Sequence, residues 1–121
     1  MKLQPDRIFG QTVTGHGDGW IGLDGERFQQ SLLLAWTGWR FVGDISLKDL
    51  PSSPHLQALL KVKPEILIIG CGAKKIAIAH EHLATLMSQN IGIETMDTAA
   101  ACRTYNILAG ENRKVAAILL I

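Results

Sequence analysis

Cysteine is scarce in this sequence: Cys71 and Cys102 are the only two in 121 residues, and 30 positions lie between them. No CxxC occurs, so a disulfide framework is excluded. A single disulfide stays open, with two reduced, buried thiols as the simpler expectation. Charge of one sign is also lacking. Twelve basic and 11 acidic side chains leave a net charge of +1, so no global field draws in nucleic acid or an anionic membrane. Long apolar runs are missing too. Ile66 to Ile69 and Val115 to Ile121 fall far short of the ~20 residues that span a bilayer. Met1-Lys2-Leu3-Gln4-Pro5-Asp6-Arg7 is followed by no apolar segment of the signal-peptide kind. Asp6 and the want of serine argue against a transit peptide, so a cytoplasmic location is expected.

What remains is ordinary globular material. Apolar residues make up 47% and charged residues 19%, which excludes a disordered chain. The length fits one domain over residues 1–121 that can bury a core without staples. The two halves differ in texture. In residues 8–43, Asp24-Gly25 between short segments predicts a hairpin with positive φ at both central residues. Gly15, Gly17 and Gly19 surround a second turn. Leu32-Leu33-Leu34-Ala35-Trp36 reads as a strand covered on both faces, and Trp39-Arg40-Phe41-Val42 as another.

The second half alternates strand and helix. A short helix is expected over His55 to Val62, before Pro64. A strand over Glu65 to Ile69 should stop at Gly70. Ala79, Leu83, Leu86 and Met87 form one apolar helical stripe, ended by Asn90 and Gly92. Ile93 to Met96 is the next strand, Asp97 or Thr98 caps the next helix, and Gly110 should end it. Val115 to Leu120 closes as a fully apolar strand. This order predicts an α/β fold with right-handed crossovers and an at least partly parallel central sheet. The helices are expected on one side and an N-terminal β-hairpin layer on the other.

Several motifs invite chemistry. Gly70-Cys71-Gly72 after a strand suggests a dinucleotide loop, but Lys75 stands where a third glycine is needed. A tight turn, or an anion site with Lys74 and Lys75, is the alternative. His80-Glu81-His82 is not HExxH, since position 84 is Ala84, and no metal or cofactor is expected. Thr104, Tyr105 and Asn106 are polar at mid-helix and belong to a buried network or face a crevice. In open α/β sheets ligands bind beyond the carboxyl ends of strands. The candidate pocket there comprises Gly70, Cys71, Gly72, Lys74, Lys75, Asp97, Thr98 and Arg103. Trp20, Trp36 and Trp39 are the candidate partner surface.

Three segments carry a resemblance: Pro64 to Gly72, Gly92 to Leu108, and Glu111 to Val115, with Ile8-Phe9-Gly10 and the hairpin region matching less specifically. Together they resemble the Mth-domain-like family. It includes mitochondrial complex I assembly factor three, the adipogenesis-associated Mth-domain protein and many uncharacterised bacterial and archaeal proteins. Many of these have a proline where this chain reads Ile76-Ala77-Ile78-Ala79. The resemblance implies a three-layer α/β domain with a mixed sheet and an extra β layer, and it supplies no catalytic residue. It implies a non-enzymatic protein-binding or assembly module. The partner is an unknown protein, with respiratory complex subunits as the family analogy. A small-molecule or anion-binding protein with a site at the strand ends, acting as an enzyme or not, is the alternative. No nucleic acid is expected, nor a transmembrane segment, and the chain is read as a monomer or homodimer.

Overall fold

The computed structural model describes residues 11–46, 53–73, 84 and 86–121. Its eight strands are β1 (Val13–Gly17), β2 (Trp20–Leu23), β3 (Glu26–Phe28), β4 (Ser31–Ala35), β5 (Arg40–Gly43), β6 (Ile66–Cys71), β7 (Gly92–Met96) and β8 (Val115–Leu120). Among the described residues two helices are given from end to end, α1 (Pro54–Leu60) and α2 (Thr98–Gly110), and Ala84, Leu86 and Met87 are helical as well. Strands β1-β2-β3 form one antiparallel sheet, and β5-β4-β8-β6-β7 a second, mixed sheet. In the second, β6 runs parallel to β7 and β8, while β4 is antiparallel to β5 and β8. Asp24 and Gly25 both have positive φ, at 52° and 88°, as a type I′ turn between β2 and β3 requires.

The apolar strands β4 and β8 are buried along their whole length because both faces of their sheet are covered. Alternation sends Leu33, Ala35, Leu67, Ile69, Ala116 and Ile118 to one face, against Leu56, Leu59 and Leu60 of α1. It sends Leu32, Leu34, Ile68, Ala117 and Leu119 to the other, against α2 and the β1–β2 hairpin. The helices are thus divided between the faces. Three short strands cannot cover a five-stranded sheet alone, so α2 shares their face.

Two boundaries and one apolar position differ from the sequence expectation. Strand β6 runs through Gly70 and turns at Gly72, where φ is +99°. Gly70 serves a close approach instead: a Cβ there would lie 2.9 Å from Ala101 Cβ and 3.0 Å from Thr98 Cα. Helix α2 includes Gly110, and the left-handed residue that stops it is Asn112, with φ 62°. Arg113 N–H reaches Leu108 O and Asn112 N–H reaches Ala109 O, which is the Schellman pattern. Leu86 is buried but Met87 is 52% exposed, so Met87 leaves the apolar stripe. Ala79, Leu83 and the motif His80-Glu81-His82 lie outside the described residues, as do Ile8-Phe9-Gly10 and Ile76-Ala77-Ile78-Ala79.

Candidate functional site

The carboxyl ends of β6 and β8 and the start of α2 meet at one hydroxyl. Thr98 Oγ1 accepts from Gly72 N–H at 2.8 Å and donates to the carbonyl of Leu120. Thr98 N–H in turn donates to Gly72 O at 2.8 Å. Three elements far apart in sequence are pinned by a side chain that is only 8% exposed. Asp97 is the N-cap: its Oδ1 accepts from Ala100 N–H at 2.8 Å. The slim start of α2 places Ala101 directly over Gly70.

The β1–β2 hairpin tip leans toward this junction and leaves a cleft of about 270 Å³. His16, Asp18 and Ile21 line it from the hairpin, Gly72 and Ala73 from the end of β6, and Asp97, Thr98 and Ala99 from α2. Leu120 and Ile121 contribute from the end of β8.

The pocket expected from sequence is brought together only in part. Gly72, Asp97 and Thr98 line the cleft. Gly70 is buried under α2, and Cys71 packs into the core on the α1 face, so neither lines it. Arg103 is exposed on α2 and is not among the lining residues. Lys74 and Lys75 lie outside the described residues. Cys71 and Cys102 form no disulfide and belong to opposite faces of the sheet. Burial pushes the Cys102 thiol up to about 11, with Arg103 opposing and Asp97 reinforcing the shift. A thiol of that kind is protonated at neutral pH and is a poor nucleophile. Among the described residues, no group of three or more His, Cys, Asp or Glu could hold a metal.

The three tryptophans are half-buried and do not form one surface. Trp20 lies over β1, where a Cβ at Gly17 would fall 2.2 Å from its Nε1, and the Arg27 guanidinium sits 3.9 Å from the ring centroid. That explains the glycines of β1, which clear room for the indole. Trp39 packs on the α1-side core and Trp36 against both cores at the other end of the sheet, where Trp36 N–H reaches Val115 O.

The mid-helix polar residues divide in role. Asn106 clamps the backbone of Val13, accepting its N–H at 2.9 Å and donating to its carbonyl at 2.8 Å. A helix side chain thereby closes the edge of β1. Thr104 reaches Met96 Sδ at 3.5 Å. Tyr105 is fully buried, and its hydroxyl has no hydrogen-bond partner among the described residues. Burial, and then the charge of Asp24, raise its pKa. His16 and Asp18 were missed as cleft residues because nothing local in the chain signals that a hairpin tip will reach the end of β8.

The chain belongs to the family described as a protein of unknown function (DUF498/DUF598), whose model matches residues 13–120. It is 38% identical over 77 residues to NADH dehydrogenase (ubiquinone) 1 alpha subcomplex assembly factor 3 of Danio rerio, covering 64% of this chain and 42% of that protein. It is 35% identical over 66 residues to the 13 kDa major membrane protein of Francisella tularensis subsp. holarctica, covering 54% of each. These matches span about half the length of those curated relatives or less. The solution NMR structure of a Mth938-like domain from Bordetella pertussis superposes with a TM-score of 0.76 at 29% identity, covering 99% of this chain and 92% of that one. Among the described residues no helix is long and apolar enough to cross a membrane.

Proposed function

We propose that the protein is a non-enzymatic binding module that takes part in building a larger protein complex. The observation that carries this reading is the 38% identity to a relative named as a complex I assembly factor. Respiratory complex subunits are the partners it suggests, and Trp20, Trp36 and Trp39 remain the candidate contact residues. The site chemistry agrees. Asp97 is used as a cap, Thr98 as a brace and Asn106 as an edge clamp, and Cys102 is held protonated. These four residues, which invited a chemical role, each have a structural account. A monomer or homodimer, and a cytoplasmic location testable by cell fractionation, belong to the same proposal.

The test is a tagged protein expressed at native level, with quantitative identification of what co-purifies. A defined stoichiometric partner, lost when Trp20, Trp36 and Trp39 are changed to Phe in a variant that still folds, is the expected outcome. A protein recovered alone would sink this reading. The cleft at the strand ends favours a second one, a small-molecule site.

A further inference from the structure

We propose that the outer edge of β7 receives an extended, basic segment of the protein partner, which adds a strand to the central sheet and sets a lysine or arginine opposite Glu94. The proposal rests on the binding-module reading and names where the partner docks and with what chemistry.

The edge comes first. β7 is a terminal strand of the five-stranded sheet. Gly92 N–H donates to Glu65 O at 3.0 Å, which fixes the phase of the ladder. Bonding residues alternate along a parallel pair. Gly92, Glu94 and Met96 therefore turn their backbone groups to β6, while Ile93 and Thr95 turn N–H and C=O outward. No described residue pairs with those outward groups. The edge of β1, by contrast, is closed by Asn106. An open row of donors and acceptors is a template for one more strand.

The identity of the occupant comes second. Glu94 stands at the centre of β7, exposed, with no ion-pair partner among the described residues. A second copy of this chain is a poor occupant. Antiparallel pairing of β7 with its own copy through the outward groups sets Ile93 opposite Thr95, and so Glu94 opposite Glu94. Those two residues would form a close pair, with Cα atoms about 4.5 Å apart, and like charges placed so repel. A foreign strand with lysine or arginine at that position converts the same geometry into an opposite-charge pair.

The apolar ground beside the edge comes third. Glu94 is in register with Ile68, whose side chain faces α2, so the incoming basic side chain lies on that face. Thr104 of α2 reaches Met96 there, and Leu108 packs in the same cluster as Met96. Ile107, one turn along from Thr104, is 60% exposed. On the opposite face Ile93 is only partly buried against the core. A strand alternating basic and β-branched residues would cover both.

The experiment measures amide exchange and chemical shifts of the intact chain by NMR with two synthetic probes. One is the peptide N-acetyl-Thr-Val-Lys-Val-Thr-amide, and the other carries glutamate in place of lysine. In the free chain the Ile93 and Thr95 amides should exchange fast and those of Glu94 and Met96 slowly. The lysine peptide should shift β7 amides saturably and slow the exchange of Ile93 and Thr95. It should bind roughly two- to thirtyfold tighter than the glutamate peptide, the span of an opposite-charge pair exchanged for a like-charge one. Glu94→Lys should invert that preference. Thr95→Pro should abolish binding of both, since it removes an outward N–H and leaves the donors to β6 in place, a position where an edge strand tolerates proline. Should that variant fail to fold, Glu94→Lys carries the test alone. Ile93 and Thr95 amides already protected in the free chain would overturn the proposal, because the edge would then be covered. So would equal binding of the two peptides, a preference unchanged in Glu94→Lys, or no saturable shift at all. Protection of the same amides that grows with protein concentration would overturn it by making the second copy the occupant. The titration needs no natural partner, so each of these failures is distinct from recovering the protein alone, which tests the binding-module reading.

Discussion

The two faces of the central sheet hold their cover in different ways. On the α1 side, Leu56, Leu59 and Leu60 meet Leu33, Leu67, Ile69 and Ile118 in an apolar cluster that needs no particular polar pairing. On the α2 side, apolar packing is joined by long-range polar ties: Thr98 to Gly72 and Leu120, Asn106 to Val13, and Asp24 Oδ1 to Thr12 N–H at 3.0 Å. The first face depends on area removed from water. The second depends also on directed bonds that fix where the β layer sits, and the cleft lies where that placement is set. Stability without a unique geometry suits the first face; a defined cleft needs the second.

Mutations can separate the two modes, and the largest effect belongs to the apolar face. Leu59→Ala should destabilise by about 3 kcal/mol through lost burial and a residual cavity, read as a lowered urea midpoint. Its cost should appear with the cleft amides unmoved. Thr98→Val should cost less, roughly 2 kcal/mol, because it leaves Gly72 N–H and Leu120 C=O without their partner. Unlike the first variant, it should shift the amides of Gly72 and the hairpin tip in the folded state. If Thr98→Val proved silent in both readouts, the polar-tie account of this face would be wrong.

Tyr105→Phe goes the other way. Its hydroxyl is buried without a partner among the described residues, so removal should be neutral or stabilising by up to about 1 kcal/mol in the same denaturation experiment. A clear loss of stability would show that the hydroxyl bonds to a group or a water in solution. The smallest effect lies away from both faces. The Arg113 Nε–H bond to Glu65 Oε1 at 2.8 Å, and then Lys114 N–H, hold the Glu65 carboxyl below the usual carboxylate range. A depressed folded pKa contributes stability above the unfolded carboxylate value, and that stability is lost as pH falls through the folded one. The pair is exposed, so replacing Glu65 by Gln should change the acid limb of a stability–pH curve only slightly.

Local features were well legible in the sequence. The Asp24-Gly25 turn, the Asp97 cap and the buried β8 all follow from short-range backbone and burial rules that act within a few residues. Helix stops were less legible. Gly110 looked like the terminator, yet Asn112 can also adopt the left-handed conformation, and the chain uses it. The candidate site was legible in part. Gly72, Asp97 and Thr98 could be placed at strand ends by the α/β rule, while Cys71 could not be told from a lining residue until the face it points to was known.

By itself, the sequence determined the apolar strands, the Asp24-Gly25 turn, the start of α2 and the partly parallel character of the main sheet. Only the tertiary structure decided that α2 shares a face with the β layer, that Asn106 closes the edge of β1, and that His16 and Asp18 stand opposite Asp97. The reason is one of range. Backbone conformation and amphipathic period are set by neighbours a few positions away. Val13 and Asn106, 93 residues apart, meet only because two apolar surfaces of one sheet had to be covered at once.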